Sequence, residues 1–279
     1  MTPEKLLREI LLSCGKILKA RFGKVGYSLK GRADLLTAAD LASQKNAIAL
    51  IRRHFPDHGL LAEEGVDTFR PGRPAWIIDP LDGTTNYAHG FPAAAVTAAY
   101  YDGGEIRTGG TLDPFRGELF FAVKGRGASL NGRRIRVSRA PVLSKSLLAT
   151  GFAYDRGEKA EFYCSFYAEF LKLSHDIRRM GSAALDLAWT ACGRLDGYWE
   201  FNLKPWDVAA GLLLVKEAGG KVSDFSGKGW KVPTEFGPQT LAANGRLNRA
   251  MLAVIGKKLR QGSPRSSLSA RRRAAPARA

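Results

Sequence analysis

The chain is 279 residues long, 45% apolar and 25% charged, which is enough to bury a substantial core and ordinary for a globular protein. No apolar run reaches the roughly 18 residues that would span a bilayer, and three scattered cysteines without CxxC spacing exclude a disulfide scaffold and a zinc ribbon. The net charge of +17 is uneven: residues 257–279 hold eight Lys or Arg and no acid, leaving +9 for everything before them.

The N-terminal segment places Leu6, Leu7, Ile10, Leu11, Cys14, Ile17 and Leu18 at helical spacing behind Thr2 and Pro3. That predicts a helix capped by Thr2, not a signal peptide. A second helix is expected from residue 35 or 37 to Phe55, stopped by Pro56. Strands follow near 75–79, ended by Pro80, and near 93–101, 105–112 and 117–123. Asn131-Gly132 between two extended halves predicts a hairpin turn.

Beyond about residue 140 strand and helix alternate. Strands are expected at 146–151, 176–179 and 195–201, and helices at 157–173, 182–192 and 207–218. "GGKVSDF" and "TLAAN" read as strands, and a last helix runs over 245–260. The expected organisation is an α+β half (1–142) carrying most candidate ligands and an α/β half (143–261) carrying Asp207 and substrate residues. A basic tail (262–279) follows, too poor in apolar residues to fold. The tail offers a weak electrostatic contact to nucleic acid or an acidic surface. Cys14, Cys164 and Cys192 are expected to be reduced thiols of a cytoplasmic protein.

The chemistry concentrates in "AWIIDPLDGTTNYAHGFP", residues 75–92. An apolar strand ends in Asp79 and Asp82, two carboxylates that repel unless a cation lies between them. Hard oxygen donors select Mg²⁺ over zinc. Behind them Gly83 lets the backbone approach a ligand, and the Thr84 and Thr85 amides open onto an anion. Metal and phosphate cradle on one turn point to a metal-assisted phosphatase. "LLAEEG" adds Glu63 and Glu64, and "KPWDVAAG" sets Asp207 at the start of a helix. No P-loop, GxSxG elbow or zinc-spaced histidine occurs.

Together with "ADLLTAAD", "IRRMGSAALDLAWTACGRLDGYWE" and "EAGG", these segments make the chain resemble the inositol monophosphatase family of Mg²⁺-dependent, lithium-sensitive phosphomonoesterases. The resemblance runs to about residue 260 and implies an αβαβα layered fold and a homodimer. It implies that Glu63, Asp79 and the Leu81 carbonyl hold one metal, that Asp79, Asp82 and Asp207 hold another, and that Glu63 helps with a third. It places phosphate on Gly83, Thr84 and Thr85, and has Asp40 and Thr84, with Glu63, activate water. The alcohol side falls to Gly181, Ser182, Ala183 and Glu200. The implied reaction is hydrolysis of inositol 1-phosphate by metal-activated water. Histidinol phosphate, fructose 1,6-bisphosphate and NADP are the alternative substrates, since "FNLKP" brings Lys204 near the alcohol. The rival class is a scaffold that docks RNA or a regulatory complex through the basic tail.

Overall fold

The structure is a computed structural model that describes residues 1–24, 26–29 and 35–261; the tail at 262–279 lies outside them. Thr2 accepts the Lys5 amide at 3.4 Å and caps helix α1 (Pro3–Arg21). The face predicted from spacing is the buried one: Leu6, Leu7, Ile10, Leu11, Cys14 and Leu18 are fully enclosed. Each such leucine or isoleucine contributes about 1.5–3 kcal/mol by leaving water. Strands β1 (Tyr27–Leu29) and β2 (Leu35–Thr37) form a small antiparallel pair that the sequence pattern did not announce. Thr37 then caps α2 (Ala38–His54) in a reciprocal box with Asp40.

The first sheet is built from β3 (Gly59–Ala62), β4 (Val66–Asp67), β5 (Ala75–Asp82), β6 (Ala95–Asp102), β7 (Glu105–Asp113), β8 (Glu118–Val123), β9 (Gly127–Leu130) and β10 (Arg133–Arg134). Its order is β10-β9-β8-β7-β6-β5-β3-β4, antiparallel except for β3 against β5. The short strands β3 and β4 were not anticipated, because four residues are too few to display a period. Asn131 and Gly132 turn the β9–β10 hairpin with φ of 49° and 80°, as the dipeptide predicts. A short helix α3 (Thr84–Ala88) follows β5.

The second sheet contains β11 (Leu147–Thr150), β12 (Asp176–Arg178), β13 (Gly197–Phe201), β14 (Lys221–Ser223) and β15 (Gln239–Ala243), ordered β12-β11-β13-β15-β14. Helices α4 (Arg156–Leu173) and α7 (Asn248–Gln261) cover one face of it. Helices α5 (Ala183–Ala191) and α6 (Pro205–Glu217) lie between the two sheets, and α1 and α2 cover the far face of the first. The result is an αβαβα sandwich. Its middle layer explains why α5 is buried on every side, unlike a surface helix with one apolar stripe. The largest core cluster runs from Leu61 to Ala242 and draws on both sheets through α5 and α6. No helix among the described residues is long and apolar enough to cross a membrane.

Candidate active site

Strand β5 does not stop at Pro80. It continues to Asp82 through an irregularity: Asp79 pairs with Thr97 and Asp82 with Ala95, three steps on one strand against two on its neighbour. The extra residue is a bulge, the one place inside a sheet where proline's missing N–H costs little. It has a chemical consequence. In a regular strand, residues three apart face opposite sides; the bulge restores the parity and brings Asp79 and Asp82 to one cavity.

That cavity encloses ≈ 260 Å³ and is lined by Glu63, Asp79, Leu81, Asp82, Gly83, Thr84, Thr85, Gly181, Ser182, Ala183, Glu200 and Asp207. Every site residue expected from the sequence is on its wall except Asp40, which lies fully buried behind Thr84. Asp40 Oδ2 accepts from the Thr37 amide at 2.8 Å and hydroxyl at 2.5 Å. Its Oδ1 lies 3.2 Å from the Thr84 hydroxyl, which is also 2.9 Å from the Leu81 carbonyl. One hydroxyl proton serves only one of these acceptors at a time.

The carboxylates of the cavity disturb one another. Burial pushes the Asp79 carboxyl well above its ordinary range, reinforced by Glu63, Asp82 and Asp207. Asp82 is pushed up to about 6 by burial, although the Ser182 hydroxyl, the Ala184 amide at 2.9 Å and further amides oppose the shift. Asp207 is raised well above by burial and then by Asp82. It occupies the third position of α6 rather than the cap, because Pro205 starts the helix earlier, and it accepts the Lys204 amide at 2.7 Å. None of Asp79, Asp82 and Asp207 forms an ion pair with a described Lys or Arg.

Among the described residues, no three His, Cys, Asp or Glu side chains converge into a ready-made ligand set. What the fold provides is a wall of oxygen donors from β5, α6 and Glu63 just after β3, with no histidine or cysteine on it. Mutually repelling oxygen donors that no described Lys or Arg ion-pairs fit Mg²⁺ and do not fit zinc.

Gly83, at φ 86°, leads into α3, and a Cβ there would meet the Ala93 carbonyl oxygen at 2.8 Å. Only glycine permits this closeness. α3 is too short for its dipole to matter much, but its first amides have no acceptor within the helix. Asn86 fastens this turn to the opposite wall, donating to the Ala93 carbonyl at 2.8 Å and the Met180 carbonyl at 2.7 Å. Nothing in the local sequence marked Asn86 as the residue that closes the site.

Glu200 is the penultimate residue of β13 and is 8% exposed. It accepts the Tyr198 hydroxyl and forms no surface pair with Lys204. Burial raises its carboxyl to about 7, opposed by Tyr198, Arg179 and Arg156. Arg156, Arg179 and Lys204 share the cavity wall with Phe152, Tyr154 and Trp206. Of these only Lys204 was legible beforehand. Phe152, Tyr154 and Arg179 stand on loops, Arg156 opens α4 and Trp206 lies in the first turn of α6. Asp186 of α5 is buried with neither carboxylate oxygen hydrogen-bonded, and burial holds its carboxyl well above the ordinary range.

A model of the inositol monophosphatase family matches residues 4–261. The inositol-1-monophosphatase of Synechocystis sp. is 43% identical over 257 residues, covering 90% of this chain and 88% of that protein. The Nus factor SuhB of Escherichia coli (strain K12) is 42% identical over 236 residues, covering 84% and 87% respectively. The solved inositol monophosphatase from Anabaena (Nostoc) superposes with a TM-score of 0.80 at 42% identity, covering 95% of this chain and 97% of that one.

Proposed function

The chain belongs to the inositol monophosphatase family, and from that premise we propose that it is a magnesium-dependent phosphomonoesterase that hydrolyses inositol 1-phosphate to inositol and phosphate. The observation that carries this reading is that Asp79, Asp82, Asp207 and the Gly83–Thr84 turn all line one cavity. Glu63, Asp79, Asp82, Asp207 and the Leu81 carbonyl would hold Mg²⁺. When bound, the ion supplies positive charge that acidifies water and steadies the leaving oxygen.

The protein's own groups do the rest. The first amides of α3 and the Thr84 hydroxyl receive phosphate oxygens, as preorganised donors that need no rearrangement in the transition state. The buried Asp40, fixed by Thr37, accepts from the Thr84 hydroxyl, and Thr84 in turn orients the attacking water and relays its proton to Asp40. Water attacks phosphorus opposite the ester oxygen while one of its protons passes through Thr84 to Asp40, the P–O bond to the alcohol breaks, and the departing oxygen takes a proton from solvent water. Glu200 accepts hydrogen bonds from the hydroxyls of the departing ring. Lithium inhibition and a homodimer belong to the same reading.

The test is phosphate release from inositol 1-phosphate, histidinol phosphate, fructose 1,6-bisphosphate and NADP, with and without Mg²⁺. Release from inositol 1-phosphate should lead the panel and vanish with EDTA. No release from any of them would sink the enzymatic reading. A second reading, docking in a transcription complex, is favoured by the Nus factor relative at 42% identity; it is compatible with catalysis and is tested by co-purification with RNA polymerase.

A further inference from the structure

Asn202 stands on the turn that leads from β13 into α6, two residues after Glu200, and lines the same cavity. Its φ is 57°, and apart from Asn131 of the β9–β10 hairpin it is the one described non-glycine residue with a positive φ. Asparagine tolerates that left-handed conformation better than most side chains. The backbone is held there from outside, since the Asn202 amide donates to the Pro238 carbonyl at 2.8 Å.

Two acceptors fix which way the side-chain amide points. Asn202 Nδ2 lies 3.1 Å from the Tyr163 hydroxyl oxygen and 3.4 Å from Asp155 Oδ2. Tyr163 spends its one hydroxyl proton on Asp155 Oδ1 at 2.5 Å, so toward Asn202 its oxygen only accepts. Lys159 at 2.7 Å, and then Tyr163, hold the Asp155 carboxyl below its ordinary range, and a carboxylate only accepts. Turning the amide over would set its oxygen against both acceptors. Neither Asp155 nor Tyr163 is on the cavity wall, so the clasp draws the amide nitrogen away from the cavity. Oδ1 is left outside the clasp, and no described residue donates to it.

An acceptor oxygen on the wall calls for a donor from the ligand. Arg156, Arg179 and Lys204 on the same wall repel an ammonium, which leaves a neutral hydroxyl. We propose that Asn202 Oδ1 accepts a hydrogen bond from one ring hydroxyl of the departing alcohol, separate from those that Glu200 reads, an assignment that rests on the inositol phosphatase reading of this cavity. Asn202 is then a second residue that sets specificity.

The experiment measures kcat/KM of the full chain with Mg²⁺ for inositol 1-phosphate, its monodeoxy analogues and phenyl phosphate. Asn202→Gly is the variant of choice, because glycine keeps the left-handed φ and removes only the amide. It should lower kcat/KM for inositol 1-phosphate about two- to tenfold, the range of one neutral hydrogen bond, and leave phenyl phosphate unchanged. One monodeoxy analogue should be penalised by that factor on the wild type and lose nothing further on Asn202→Gly. A different analogue should behave in this way on Glu200→Gln. A residue that only shapes the turn would lower every substrate alike, and that result overturns the proposal. So does a wild-type preference for inositol 1-phosphate in Asn202→Gly. A wild type that does not favour inositol 1-phosphate over phenyl phosphate fails the inositol reading itself, and this assignment with it.

Discussion

Ser182 donates its hydroxyl to the Asp82 carboxylate although 100 residues separate them in the chain. The same hydroxyl oxygen accepts the Leu185 amide at 3.3 Å, so Ser182 caps α5 and orients an acid of β5 at once. Ser182→Ala should raise the Mg²⁺ concentration for half-maximal phosphate release by about tenfold, the low end of what outer hydrogen bonds to ligands contribute. Loss of the cap should cost about 1 kcal/mol of stability by thermal melting. Ser182→Thr should restore much of both. An unchanged Mg²⁺ requirement would show that Asp82 needs no such partner.

Asp82→Asn tests the carboxylate itself. It should lower phosphate release by about a hundredfold or more, since metal assistance supplies several kcal/mol. The fold should survive, because the substitution preserves volume and removes a repelling charge. Near-normal turnover would remove Asp82 from the ligand set.

The raised carboxyls also dictate a pH dependence of stability. An acid whose pKa is higher in the folded protein favours folding when protonated, and that contribution is lost as pH rises. For Asp82 the loss spans from about 4 to about 6, with Asp79 and Asp207 continuing in the same direction. In EDTA the melting temperature should therefore fall across that window, and Mg²⁺ should restore it at neutral pH. A melting temperature insensitive to Mg²⁺ at pH 7 would count against a cation among these acids.

Glu200 titrates at about 7, so at neutral pH it is part acid and part carboxylate. Only the carboxylate accepts freely from ring hydroxyls. kcat/KM for inositol 1-phosphate, divided by that for an aryl phosphate, should rise with pH through about 7. Glu200→Gln should abolish the rise and lower the inositol activity about ten- to a hundredfold, the equivalent of a charge-assisted hydrogen bond of about 1.5–3 kcal/mol. Equal losses on both substrates would mean that Glu200 does not read the alcohol.

Gly151 decides whether Glu200 can take that position. A Cβ there would stand 2.1 Å from the Glu200 carboxylate. Gly151→Ala should therefore evict the carboxylate, reproduce the selectivity loss of Glu200→Gln and spare aryl phosphate. Wild-type discrimination in this variant would show that the carboxylate relaxes without cost.

The sequence by itself determined most of the elements and marked the candidate residues for the chemistry. Residues 75–85 carry two acids three positions apart, a glycine and two hydroxyls whose contiguity points to the proposed chemistry, and helical spacing marked the buried face of α1. Asp207 and Glu63 were legible as acids after or before apolar runs, but their convergence was implied by family resemblance and not by spacing. Only the tertiary structure decided which side Asp79 and Asp82 face, because a bulge is a relation between two strands and leaves no mark on one. The same holds for Asn86 against Met180, Tyr198 against Glu200, and Ser182 against Asp82. It holds for Arg156 and Arg179, which reach the cavity from the start of α4 and from the loop after β12. Periodicity reports which face of an element leaves water; it cannot report which side chains of distant elements then meet, because that depends on how the layers pack.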